Sequence, residues 1–193
     1  MGPMTTPTAL VVIDVQEEYF SGALQIEHPD RMASLAHIGE AMDAATRNGD
    51  AVVVIRQNGP GDLFVTGSPT WAVRPEVLGR HHDVLIDKSL PGAFTGTALE
   101  QWLAARDIEH VTIAGYMTNV CCDTTARQAF HLGLGVTFLH DATGVPAMPG
   151  VDGAPIAAPR LHEAALAALR MVGIDLASTQ EWIERRAAVA PVR

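Results

Sequence analysis

The chain alternates short continuous apolar runs with longer segments of helical spacing. Leu10-Val11-Val12-Ile13 has no polar position and stops at Asp14, the pattern of a strand covered on both faces. Ala51 to Ile55, Val84 to Ile86, Val111 to Ala114 and Val136 to Leu139 repeat the pattern, and a shorter run near Leu176 allows a sixth strand. Helical periodicity predicts helices over about 30–47, 97–106, 118–132 and 160–172. Asn48-Gly49 stops the first, and Gly133 and Gly135 stop the third rather than cradle a phosphate. Two connections, 57–75 and 144–159, are rich in Gly and Pro. Long loops in compact domains are usually functional.

Strands alternating with helices predict an α/β fold: three α/β/α layers around a six-stranded, mostly parallel sheet of Rossmann-like topology. The length of 193 residues suits a single domain spanning 1–193, with no repeat and no linker. Hydrophobic residues make up 48% and charged residues 18%, which suits a buried sheet and argues against disorder. A net charge of −9 without a basic block argues against a nucleic-acid partner. No apolar run approaches the roughly 20 residues that cross a bilayer, so no membrane partner is expected. The segment Met1 to Thr8 lacks the cationic start of a signal peptide. Two adjacent cysteines are no disulfide framework, which points to a reducing, cytoplasmic compartment.

In open parallel sheets, ligands bind beyond the carboxyl ends of the strands, near the switch in strand order. Asp14, Lys88 and Cys121 fall at or just past the ends of predicted strands one, three and four, so they can converge. Cys121 also opens a predicted helix, where the dipole and a nearby lysine lower a thiol's pKa and favour the nucleophilic thiolate. Asp14, desolvated at a strand end, has its pKa raised towards that of a useful base. Each residue taken alone has a plainer reading: a buried small hydrophobe, a turn cap, a solvated surface lysine. The eight histidines show no metal-ligand spacing, so no metal and no cofactor are expected. His140, at the end of strand five, could approach Cys121, or simply line the cleft. Phe20, Trp71, Phe94 and Tyr116 belong to cleft-facing loops or strand ends, where an aromatic wall could hold a small planar amide.

Three segments carry a family resemblance: Leu10-Val-Val-Ile-Asp14-Val-Gln16-Glu-Glu-Tyr-Phe20; Asp87-Lys88 with Ala93-Phe94-Thr-Gly-Thr97; and Gly115-Tyr-Met-Thr118-Asn119-Val-Cys121. Thr124-Thr125-Ala126-Arg127-Gln128-Ala129 and Asp141-Ala142 also fit. With these, the chain resembles the isochorismatase-like cysteine hydrolases over nearly its whole length. The resemblance implies a catalytic Asp14–Lys88–Cys121 triad and a cis peptide between Tyr116 and Met117. It further implies an oxyanion hole from the N–H groups of Met117 and Cys121. Gln16, inside the first segment, joins the four aromatics as an expected substrate contact. Cys122 falls where most members carry an aliphatic residue, and one helical step turns it about 100° from Cys121.

Two departures from the family stand out. Nicotinamidases hold a metal through histidines after the second strand, but 57–75 contains no His, so nicotinamide is not the expected substrate. Gly92 replaces a serine common in the family, which leaves one pocket wall open. The expected activity is hydrolysis of a small amide, lactam or carbamoyl C–N bond through a thioester. The alternatives are vinyl-ether hydrolysis of the isochorismatase type and a non-catalytic, redox-sensing or ligand-binding thiol protein. The resemblance also implies a homodimer or homotetramer acting on a small molecule, with specificity residing in Ser21 to Pro29, 57–75 and 144–159.

Overall fold

A computed structural model describes residues 6–189. The first five residues, part of the segment read above as no signal peptide, and 190–193 lie outside it. In chain order the elements are β1 (Thr8–Ile13), α1 (Arg31–Asn48), β2 (Ala51–Gln57), α2 (Pro75–Leu78), β3 (Val84–Lys88), α3 (Leu99–Ala104) and β4 (His110–Tyr116). Then follow α4 (Asp123–His131), β5 (Gly135–Gly144), β6 (Met148–Pro149), β7 (Pro155–Ile156), α5 (Ala158–Met171), β8 (Asp175–Ala177) and α6 (Thr179–Val189).

Six strands form one sheet in the order β3-β2-β1-β4-β5-β8, and every pairing in it is parallel, where the sequence suggested only mostly parallel. β1 lies at the centre, and its apolar run is read by both faces. Leu10 and Val12 pack with α1 and with Trp182 of α6. Ala9, Val11 and Ile13 pack with Leu99 and Leu103 of α3, Ala126 and Ala129 of α4, and Leu166 and Leu169 of α5. The result is the expected three-layer α/β/α fold with a core on each side of the sheet. Each fully buried Leu, Ile or Met in these cores contributes about 1.5–3 kcal/mol of transfer free energy.

Local signals set the element ends. Asp30 caps α1, its Oδ1 accepting from the N–H groups of Met32 at 3.0 Å and Ala33 at 2.9 Å. Gly49 ends the helix in the left-handed region, φ 76°. Three features were not expected. The predicted loop 144–159 contains the short antiparallel pair β6–β7. The segment 57–75 carries a turn of 3-10 helix at Pro69–Trp71 and ends in α2. The chain closes with α6, held by Asp141 Oδ1, which accepts from both the N–H and the Oγ1 of Thr179 at 2.8 Å.

Candidate active site

Past Ile13 the backbone of Asp14 turns into the left-handed region, φ 52°, which Asp visits more readily than most residues. Its N–H still donates to Ile55 O at 2.9 Å, so the turn stays anchored to β2. Lys88 ends β3 at the sheet's edge, two strand spacings of about 4.8 Å each from β1, and a long side chain is needed to cross that gap. Its Nζ lies 2.7 Å from Asp14 Oδ2 and donates to Cys121 Sγ at 3.3 Å. It also donates to Oε1 of Gln57, the residue beside it on β2. Asp14 and Lys88 are both fully covered in their side chains.

Cys121 sits in a single π-helical turn, Thr118–Cys122, before α4 begins at Asp123. The Tyr116–Met117 peptide preceding it is cis, as the resemblance implied. Met117 O accepts from Val120 N–H at 3.2 Å and Cys122 N–H at 3.1 Å. Thr118 Oγ1 lies 3.0 Å from His162 Nδ1, tying the turn to α5, and Asn119 Nδ2 donates to Met148 Sδ at 3.4 Å, tying it to β6. Cys121 keeps 7% of its surface, whereas Cys122 is sealed in the core beside Ala126.

The electrostatics correct one expectation. Burial pushes the Cys121 thiol up to about 12, the Asp14 charge adds to this, and the opposing pull of Lys88 is too weak to reverse it. The resting sulfur is therefore a neutral thiol rather than the predicted thiolate. Burial also raises Asp14, against the charge and hydrogen bond of Lys88 and the hydrogen bond of Cys121. No other described residue donates to that carboxylate. Burial alone would lower Lys88, but the attraction of Asp14 and then of Cys121 leaves it raised and firmly cationic.

A cavity of about 340 Å³ opens onto Cys121 beyond the carboxyl ends of β1 to β4. Tyr19 and Leu24 line it from the connection after β1, Gln57 from the end of β2, and Pro91 from the segment after β3. Met117 and Val120 come from the turn of Cys121 itself, and the loop 59–64 supplies the remaining wall. Among the described residues no three His, Cys, Asp or Glu side chains gather as a metal set.

The five expected substrate contacts are placed elsewhere; none lines this cavity. Tyr116 turns into the core, its hydroxyl 2.7 Å from Ser34 Oγ on α1. Phe20 lies under the Arg74 guanidinium, 4.7 Å from the ring centre. Trp71 donates through Nε1 to Asn58 Oδ1 at 2.7 Å and carries Arg56 on its face. Phe94 borders a separate hollow with Leu103 and Leu134. Gln16 holds the backbone of Gln57, donating to its O at 3.0 Å and accepting its N–H at 2.8 Å, so it positions the residue that meets Lys88. His140, on β5, meets His162 of α5 through its backbone and does not line the cavity.

Sequence reasoning overlooked Tyr19 as a cavity residue; it assigned specificity to the segment 57–75, which supplies Gln57 and 59–64, without singling out those residues. It also overlooked a simple signal: Lys88 is the only lysine in the chain, set against twelve arginines. A protein that uses arginine for its surface charge and lysine once, at a strand end, marks that position as chemical rather than solvated.

The isochorismatase domain profile matches residues 8–181, which takes in Asp14, Lys88 and Cys121. The chain belongs to the isochorismatase family of hydrolases. A crystal structure of a candidate isochorismatase from Burkholderia xenovorans superposes with a TM-score of 0.91 at 44% identity, covering 98% of this chain and 92% of that one. The secreted isochorismatase effector Isc1 of Verticillium dahliae is 32% identical over 83% of this chain and 85% of its own length. The ureidoacrylate amidohydrolase RutB of Variovorax paradoxus is 29% identical over 70% of this chain and 68% of its own.

Proposed function

We propose that this isochorismatase-family member is a cysteine-dependent hydrolase of a small amide, lactam or carbamoyl C–N bond. The observation that carries the reading is the buried contact of Asp14, Lys88 and the Cys121 thiol at the floor of a small cavity. The name of the ureidoacrylate relative, an amidohydrolase, supports the same bond class.

Because the thiol is neutral at rest, attack and deprotonation are coupled. Sγ adds to the substrate carbonyl while its proton passes to Asp14, whose raised pKa makes it a better acceptor than a free carboxylate. Lys88 holds the carboxylate in place and balances the negative charge as it moves from oxygen to sulfur to the carbonyl oxygen. The N–H groups of Met117 and Cys121 receive that oxyanion; one such donor is worth about 3 kcal/mol in other acyl-transfer enzymes. Asp14 then returns its proton to the leaving nitrogen, the C–N bond breaks and a thioester remains. Water attacks the thioester and gives a proton to Asp14, the C–S bond breaks to release the acid, and the departing Cys121 thiolate takes that proton back from Asp14.

Mass spectrometry of enzyme quenched during turnover tests this. The expected result is a substrate-derived acyl mass on Cys121; an adduct on Cys122, or on neither cysteine, sinks the reading. A second reading is vinyl-ether hydrolysis, favoured by the raised Asp14, which can act as an acid, and by the name of the 32% identical relative. Cys121→Ala separates the two, because full activity on isochorismate after that change supports the second alone.

A further inference from the structure

The walls of the Cys121 cavity are largely apolar, formed by Tyr19, Leu63, Phe64, Met117 and Val120, with one charged side chain among the lining residues, Asp62. The charges next to it are already matched. Lys88 is paired with Asp14, Arg56 with Asp87, and Arg74 with Glu17 and Glu76. Among the described residues no arginine or histidine lines the cavity, so a carboxylate on the substrate would meet no free cation from them there.

Asp62 is carried by a shaped loop. Gly59 N–H donates to Phe64 O at 2.9 Å, closing the loop on itself. A Cβ at Gly59 would come within 1.9 Å of Leu63 O, so only glycine permits this closure. Phe64 takes a left-handed φ of 54° and lays its ring 5.4 Å from that of Tyr19, which fixes the loop's far end against the cavity wall. The near end is fixed by Asn58, whose N–H donates to Lys88 O at 2.8 Å. Asp62 is exposed at the tip between these anchors, where an entering substrate passes it.

We propose that Asp62 is a charge selector: the cavity admits neutral amides and amides bearing an ammonium group, and turns away carboxylates. This rests on the amidase reading and narrows its substrate class. It sets this chain apart from a hydrolase of ureidoacrylate, by its name a carboxylate, and it weakens the case for isochorismate, a dicarboxylate. Selection works in the encounter and in the bound state, since like charge at a low-dielectric cleft both slows approach and costs binding.

The test reads the charge of the cavity without needing turnover. Cys121 is modified with three methanethiosulfonates of similar size, one cationic, one neutral and one anionic, and each rate is divided by that for a free thiol. Fragment mass spectrometry assigns the label to Cys121 rather than Cys122. The expected order is cationic, then neutral, then anionic. Asp62→Asn shrinks the cationic-to-anionic ratio by about fivefold, the size of one partly screened charge, and Asp62→Lys inverts the order. Glu109→Gln removes one exposed charge at the amino ends of the strands, opposite the cavity, and keeps the wild-type ratio. High salt compresses the ratio in the unaltered protein, a readout that needs no variant.

A ratio insensitive to Asp62 and to salt, or an anionic reagent that reacts fastest, overturns the proposal. A second arm compares kcat/KM for butanamide, γ-aminobutyramide and succinamate. Hydrolysis without acyl-Cys121 overturns the amidase reading while the reagent rates still decide the selector. Preference for succinamate through acyl-Cys121 overturns the selector and keeps the amidase.

Discussion

At the scale of single residues, the proposed active site rests on three buried groups, two of which are charged only because they face each other. The pKa of Cys121, pushed up to about 12, predicts an unusual alkylation profile. An ordinary thiol, with a pKa near 8.5, reaches its plateau with iodoacetamide by about pH 10. Here the rate constant for Cys121 keeps rising towards pH 12, and a plateau below pH 9 would show that Lys88 stabilises the thiolate at rest after all. Turnover has a different dependence. It requires ionised Asp14, whose raised pKa places the acid limb of kcat/KM above 3.8, the ordinary value of an aspartate. Lys88→Met conserves length and apolar stem but strands the Asp14 carboxylate without its ion pair. The carboxylate then takes up a proton, and kcat falls by at least about 100-fold, the low end of the contribution of a positioned acid–base group. Folding is also weakened, by about 3 kcal/mol, as expected when one partner of a buried pair is removed. Chemical unfolding and steady-state kinetics on the same variant read both effects.

Elements explain why the meeting of Asp14, Lys88 and Cys121 was legible in the sequence and the particular residues lining the cavity were not. Asp14 and Lys88 each close an apolar run, and Cys121 follows one closely. A strand end is fixed by pattern alone, so their meeting at one sheet edge followed from topology. The direction of a side chain beyond a strand end depends on packing that no local pattern encodes. Tyr116 looked like a cavity wall because it precedes Met117, yet its ring continues the alternation of β4 and faces Ser34 on α1. The 3-10 turn Glu17–Tyr19 puts Tyr19 on the cavity and sends Phe20 against Arg74. Helix α6 was missed for a related reason. Its mean hydropathy is low, and it docks through Trp182, the Thr179–Asp141 bonds and two ion pairs, the exposed Arg185–Asp175 and the more buried Arg186–Asp50. Burial raises Asp50 even beside Arg186, so the carboxylate depends on that partner. Arg186→Met is expected to lower stability by about 3 kcal/mol, and adding Asp50→Asn to recover most of it, because the double change leaves no unpaired buried charge. Equal losses in the single and double variants, read by urea unfolding, would overturn the account in which the stranded Asp50 charge carries the cost.

Across the whole molecule, the layer that carries Cys121 is braced by a histidine that must stay neutral. His162 on α5 receives the Thr118 side chain from the π-helical turn, packs its ring 5.4 Å from that of His28, and is 3% exposed. Burial pulls its pKa down to about 4, His28 adds to this, and the neighbourhood of His140 and Glu163 does not restore it. An unfolded histidine titrates near 6.5. Between about pH 6.5 and 4 the unfolded chain therefore binds a proton that the folded chain refuses, and stability falls as pH falls through that window. Above the window the full stability is present, and below it the loss is complete, amounting to about 3 kcal/mol at most. His110, also lowered by burial, acts in the same direction, while the raised Asp14 and Asp50 act in the opposite one. Because these terms overlap, the midpoint of the intact protein does not isolate His162, but a comparison does. His162→Gln keeps a side chain able to bond Thr118 and removes the titration. It starts less stable at pH 7.5, and its deficit narrows on acidification to pH 4.5, by up to about 10 °C in Tm given roughly 2–4 °C per kcal/mol at this chain length. Parallel Tm curves for the two proteins would place the acid sensitivity elsewhere. A narrowing gap ties the acid limit of the fold to the same contact that holds the turn of Cys121.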